Sequence, residues 1–124
     1  MIMDPRYRYF DRRMDGAYSH AWSNVHEDCR HALFNYLVQG FDPGGFLTAV
    51  LTNDLYMAAG RADIENVKRL AWVARLVINA VPRCCYGSVK VMEQWMSRSN
   101  KERETILINA GVLPTLFEVI KDPC

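Results

Sequence analysis

Four residues in the first third of the chain carry side chains able to do chemistry: His20, His26, Cys29 and His31. His26 and Cys29 stand three apart, which puts both on one face of a helix, a spacing from which two ligands can reach one metal ion. A zinc site built on them would draw its remaining ligands from elsewhere, Cys84 or Cys85 being available. The chain has no Cys-x-x-Cys pair, however, and its four cysteines (29, 84, 85 and 124) are more simply read as core or near-surface thiols. A cysteine nucleophile would need a base held beside it, which residue order alone does not establish. There is also no P-loop, no dinucleotide-binding glycine fingerprint and no metalloprotease helix. No catalytic residue, no metal and no cofactor is expected.

The second constellation is the turn Asp42-Pro43-Gly44-Gly45. Two glycines in front of a helix expose its first backbone N–H groups, whose partial positive charge favours an anion. Arg61 and Arg83 follow helix ends and could converge with that terminus, while Phe46 or Tyr86 could stack on a base. Gly44, Gly45, Phe46, Arg61, Arg83 and Tyr86 thus have the composition of a nucleotide pocket. Taken alone, the turn is more simply a connection between antiparallel helices with its arginines in solvent. Asp42 could instead cap the helix, and it would then repel an anion. Asp54, on an otherwise apolar face, reads as a partly buried carboxylate paired with an arginine, or as a recognition point for a cationic partner.

The chain of 124 residues is of one-domain size, half hydrophobic and 23% charged, which is globular and not disordered. A net charge of +1 gives no bulk electrostatic case for nucleic acid or an acidic membrane. Eleven of the fifteen basic residues are Arg. Arg favours bidentate pairing and stacking, although codon bias accounts for the excess equally well. No apolar run approaches the ~18 residues that span a bilayer, and the N-terminus has no apolar core of a signal peptide. With adjacent Cys84 and Cys85 unable to staple one partner without strain, a cytoplasmic setting is expected.

The elements follow from punctuation and period. Residues 1–23 read as an arm in which Arg6 to Arg13 interleave cations with rings. The rings are expected to pack on the domain while the arginines face water, a stacking and phosphate-pairing surface being the sharper option. Residues 24–124 form the helical domain. Asn24 caps a helix over 24–39, with Glu27 reaching back. One uninterrupted helix over 46–59 organises the rest, with Gly60 as a left-handed stop. Asp63 caps a helix to Ala80 whose core seam is Ile64, Val67, Leu70, Ala71, Ala74, Val77, Ile78 and Val81. Pro82 ends it, Ser88 caps a helix over 89–97, a helix over 101–110 stops at Gly111, and Pro114 opens a last one to Lys121. The fold class is all-α, a single compact bundle of four to six helices. Helices apolar over much of their girth point to a homo-oligomer.

Two resemblances add to this. Lys101 to Asp122 resembles one unit of an armadillo-type repeat, with no second copy upstream. The order Ala-Leu-x-Asn-Tyr-Leu (32–37), Pro-Gly-Gly-Phe-Leu-x-Ala-Val-Leu-x-Asn-Asp-Leu (43–55), Gly-Arg-Ala-Asp (60–63), Asn-Ala-Val-Pro (79–82) and Tyr-Gly-Ser (86–88) resembles a family of small bacteriophage and prophage proteins with no established activity. That likeness covers about 32–97. It implies a non-enzymatic phage accessory protein acting by binding in the host cytoplasm, antagonising host defence by sequestering a nucleotide-like signal or by occluding a host defence protein. The alternative is an armadillo-like interaction module of cellular origin.

Overall fold

The structure, a computed structural model, is described for residues 4–115. Seven α-helices and one 3-10 turn run in order through these residues, with no strand among them: α1 Arg6–Ser23, α2 Glu27–Gln39, α3 Gly45–Leu51, α4 Leu55–Arg61, α5 Ile64–Ala80, the 3-10 turn Arg83–Cys85, α6 Val89–Ser97 and α7 Asn100–Asn109. The fold is all-α, with more helices than the expected four to six because 6–23 are helical and the central helix is divided. The helix expected from Pro114 to Lys121 lies beyond the described residues apart from its first two positions.

The expected arm is α1, and it shares the core. Tyr7, Phe10 and Met14 recur at helical spacing and are buried, as is Trp22. Phe10 meets Phe34 of α2 at 5.4 Å between ring centroids and Trp22 edge-on at 5.4 Å, while Tyr7 meets Phe34 edge-on at 5.2 Å. Arg8, Arg12 and Arg13 lie on the exposed side. A kink at Tyr18 bends α1, and the Trp22 indole N–H donates across it to Asp11 at 2.7 Å. Asn24 belongs to the end of α1, its N–H bonding Ala21 O at 3.1 Å. The cap of α2 is His26, whose Nδ1 accepts the Asp28 N–H at 3.1 Å.

The expected 46–59 helix breaks at Thr52-Asn53-Asp54. Asn53 has φ 64°, a left-handed conformation that its short polar side chain tolerates. The Asp54 N–H bonds Ala49 O at 2.8 Å and the Asn53 N–H bonds Val50 O at 3.2 Å, the paired bonds of a Schellman stop. Asp54 then caps α4, its carboxylate accepting the Met57 N–H at 3.0 Å. It is an exposed cap and not the partly buried seam residue expected. Gly60 sits inside α4, which runs on to Arg61, and is not left-handed. Asp63 and Ser88 cap α5 and α6 as expected, accepting the N–H groups of Asn66 (2.8 Å) and Val91 (3.2 Å).

Helix α5 is rotated relative to its expected seam. Its buried face is Val73, Leu76 and Val77, whereas Val67, Ala71 and Ile78 are exposed. A helix apolar around most of its circumference offers two seams, and α5 packs chiefly on α1, with α3 and α4 touching it as well.

Arginines close several helix ends. Arg103 of α7 is 4% exposed, and its fork donates to Val38 O (3.2 Å) and Gln39 O (3.0 Å) at the end of α2. It also donates to Met96 O (3.4 Å) and Arg98 O at the end of α6, and to Asn100 Oδ1. Arg30 reaches back to the end of α1, donating to Trp22 O at 2.9 Å and Val25 O at 3.0 Å with its guanidinium 5.0 Å from the Trp22 ring centroid. These carbonyls are the groups a helix terminus leaves without partners, and they carry the negative end of its dipole. A planar fork with five N–H donors serves several at once, which an ammonium cannot. Part of the arginine excess is thereby structural.

Candidate functional site

The Asp42-Pro-Gly-Gly turn and α4 face each other across a cleft of about 420 Å³, with Asp42, Gly45, Thr48, Asp54, Met57 and Arg61 in its wall. Gly44, at φ 91° and ψ 168°, takes a conformation closed to residues with a Cβ, and α3 starts one residue later. Asp42 Oδ1 accepts the Gly44 N–H at 2.8 Å. Arg61 leaves the last turn of α4 and lies on Gly45, so that a Cβ there would sit 3.1 Å from its Cδ and 3.2 Å from Nη1. Gly45 thus allows the close approach, but its own φ is not positive.

The six expected site residues fall in three places. Gly44, Gly45 and Arg61 come together at the cleft. Phe46 turns the other way and is buried in the core at 8% exposure. Tyr86 is half-buried with its hydroxyl on Ile78 O at 3.3 Å, and the next residue's N–H binds Leu51 O at 2.7 Å. That bond ties the 83–87 loop, with exposed Arg83, to the far end of α3 from Gly45, a helix of seven residues or about 10 Å away.

The charge of the cleft suits a cation better than an anion. Asp42 already holds an N–H of the turn, Asp54 adds a second carboxylate, and Arg61 is the one base among the six wall residues named. Exposed side chains stand at and next to its wall: Met57 at 42%, Tyr56 beside it in α4 at 90%, and Phe41 beside Asp42 at 60%.

Among the described residues, the histidines lie against neighbouring side chains and two of the cysteines are buried free thiols. His31 stacks on Tyr7 at 4.2 Å between centroids, with Nε2 3.8 Å from the Glu27 carboxylate, and His20 lies against Trp72 at 4.8 Å. Burial pushes the Cys29 thiol up to about 12, with the negative Asp63 adding to it. Cys85 is fully buried, and burial likewise raises its pKa, helped by Cys84 beside it. Among the described residues no group of three or more His, Cys, Asp and Glu is placed to hold a metal ion, and no helix is long and apolar enough to cross a membrane.

Two features escaped the sequence reading. The Asn53 break had a signal, since Asn tolerates the left-handed region and an Asp beside it is a good cap. Arg103 had none: in Lys-Glu-Arg-Glu-Thr it looks like one more solvated charge. No family model matches the chain, and no curated protein or solved structure matches it either.

Proposed function

We propose that the chain is a non-enzymatic phage accessory protein that antagonises host defence by covering part of a host protein, with the α3–α4 cleft and its rim as the contact face. The observation that carries this is Tyr56, a large ring held 90% exposed on a helix beside a charged cleft. Tyr, Phe, Met and Arg are the residue types enriched at the centres of protein interfaces; Met57 and Arg61 line the cleft, and the exposed Tyr56 and Phe41 adjoin Met57 and Asp42 in the chain. Asp42 and Asp54 make the cleft acidic, which suits a partner offering a Lys or Arg side chain between the apolar rim residues. The phage setting comes from the likeness of residues 32–97.

Of the two mechanisms the likeness implies, occlusion of a protein fits better than capture of a nucleotide. The pocket elements lie at opposite ends of α3, and the cleft holds two carboxylates against one guanidinium.

The test is phage plating on bacterial hosts that carry individual defence systems, with and without the expressed chain. Plating should rise with the wild-type chain on at least one such host and fall back with Tyr56→Glu. Calorimetry with cyclic oligonucleotides and ADP-ribose derivatives should show no heat of binding. A nucleotide that binds, or rescue indifferent to position 56, would overturn the reading.

A further inference from the structure

One row of α1 runs along α7 and the turn that ends it. Arg6 Nη1 donates to Glu104 Oε2 at 3.3 Å. Two turns on, the Arg13 guanidinium lies against Gly111, where an added Cβ would stand 3.1 Å from Nη2 and 3.2 Å from Cζ. Beside this seam α1 opens a cleft of about 500 Å³ whose wall is Tyr9, Arg12, Arg13, Gly16 and Ala17, spaced three and four apart on one face. That wall offers a phenol ring, two guanidiniums and two small residues, and a Cβ added at Gly16 would meet nothing within 4 Å. No carboxylate stands among these five residues. Asp11 accepts the Trp22 indole N–H, and Asp15 is outside the wall. Such a wall fits a segment that brings apolar side chains and a carboxylate together.

We propose that this cleft is the docking site of the chain's own residues 116–124, which lie outside the described residues. Two observations name the occupant. The first is where the described chain ends. Val112, Leu113 and Pro114 are buried and Thr115 is exposed, four residues after the glycine on which Arg13 rests. Four residues span at most about 14 Å and the nine that follow at most about 32 Å, whereas residues 9–17 of a helix cover about 12 Å. The second is composition. Four of the first five residues beyond Thr115 (Leu116, Phe117, Val119 and Ile120) are large and apolar, and Glu118 stands among them. Apolar side chains at that density favour cover over water, and one carboxylate answers the two guanidiniums of the wall. In the docked state Glu118 pairs with Arg12 and Arg13 while its apolar neighbours cover Tyr9 and Ala17. The interleaved rings and arginines of α1 then serve the chain itself and not a nucleic acid. The site shares no residue with the α3–α4 cleft, so this inference is independent of the functional proposal.

The full chain with a benzophenone amino acid in place of Phe117 is irradiated as a dilute mixture of isotope-labelled and unlabelled copies. Mass spectrometry should find the crosslink within one molecule, to the peptide that holds Tyr9 to Ala17. Arg12→Glu combined with Arg13→Glu should lower that yield at least about fivefold. Adding Glu118→Arg should restore it, which mere nearness along the chain would not do. Because Arg13 also rests on Gly111, Gly16→Phe serves as a second variant: it fills the cleft where an added Cβ has open space. It should lower the yield as far while circular dichroism stays that of the wild type. Crosslinks between labelled and unlabelled chains would put a second copy's segment in the cleft. Crosslinks to other surfaces, or a yield indifferent to both the charge reversal and Gly16→Phe, would put the segment elsewhere. Each of these results would overturn the proposal.

Discussion

The guanidinium of Arg103 lies on the Cα of Gly40: a Cβ at residue 40 would stand 2.8 Å from Nη1 and 2.9 Å from Cζ. Gly40, at φ 70°, closes α2, and Arg103 collects the carbonyls that α2 and α6 leave open. One contact thereby joins three helices. Burial lowers the Arg103 pKa, yet an arginine stays charged at any working pH, and its charge is answered mainly by carbonyl dipoles.

Arg103→Met should cost about 3–5 kcal/mol in urea denaturation, since several buried carbonyls lose their donor at once. Arg103→Lys should recover little, because an ammonium lacks the fork. Gly40→Ala should cost about 2 kcal/mol or more from the left-handed backbone and the displaced guanidinium. Combined with Arg103→Met, the glycine change should cost distinctly less than it does alone.

Two other glycines should respond with opposite sign. Gly44→Ala has open space but φ 91°, so it should destabilise by about 1–2 kcal/mol. Gly60→Ala, inside α4 with nothing within 4 Å of the added Cβ, should be neutral or stabilise by up to about 1 kcal/mol. Thermal midpoints of the two variants check this directly.

Stability should fall on the alkaline side. Burial raises the Cys29 thiol from an ordinary value near 9.0 to about 12, and Tyr7 from 10.0 to about 12. A raised folded-state pKa contributes stability that is complete below the unfolded value and lost as pH climbs toward the folded one. Denaturation midpoints should hold up to about pH 9 and then decline, with a slope near 1.4 kcal/mol per pH unit for each group titrating in the unfolded chain alone. In the same range Cys29 should resist alkylation until the chain unfolds, as mass spectrometry would show.

What the sequence disclosed was local. Asp63 and Ser88 announced α5 and α6 because a capping side chain and the amides it serves are three residues apart. That the rings of residues 6–13 pack inward with arginines outside was legible from their interleaving, but that the segment is a helix was not. The division at Asn53 was harder, because Thr-Asn-Asp contains no Gly or Pro and the apolar pattern runs on through it. Which side of α5 faces the core was not legible, since a helix apolar on both sides leaves that choice to its neighbours. The candidate site depended on the same break: Gly45 and Arg61 meet because α3 and α4 fold back on each other at Asn53, a turn whose signal, Asn followed by a capping Asp, lies inside an unbroken apolar pattern.

The role of the cleft is tested most directly by photo-cross-linking in infected or defence-carrying host cells, with a benzophenone amino acid in place of Tyr56. A second site on the exposed side of α1, Ser19, serves as the reference. The expected result is one host protein crosslinked from position 56 and not from position 19, lost when Arg61→Ala and Phe41→Ala are added, and retained by purified components. Crosslinks equal from both positions, or none to any host protein while the chain still raises plating, would contradict a partner bound at the α3–α4 face.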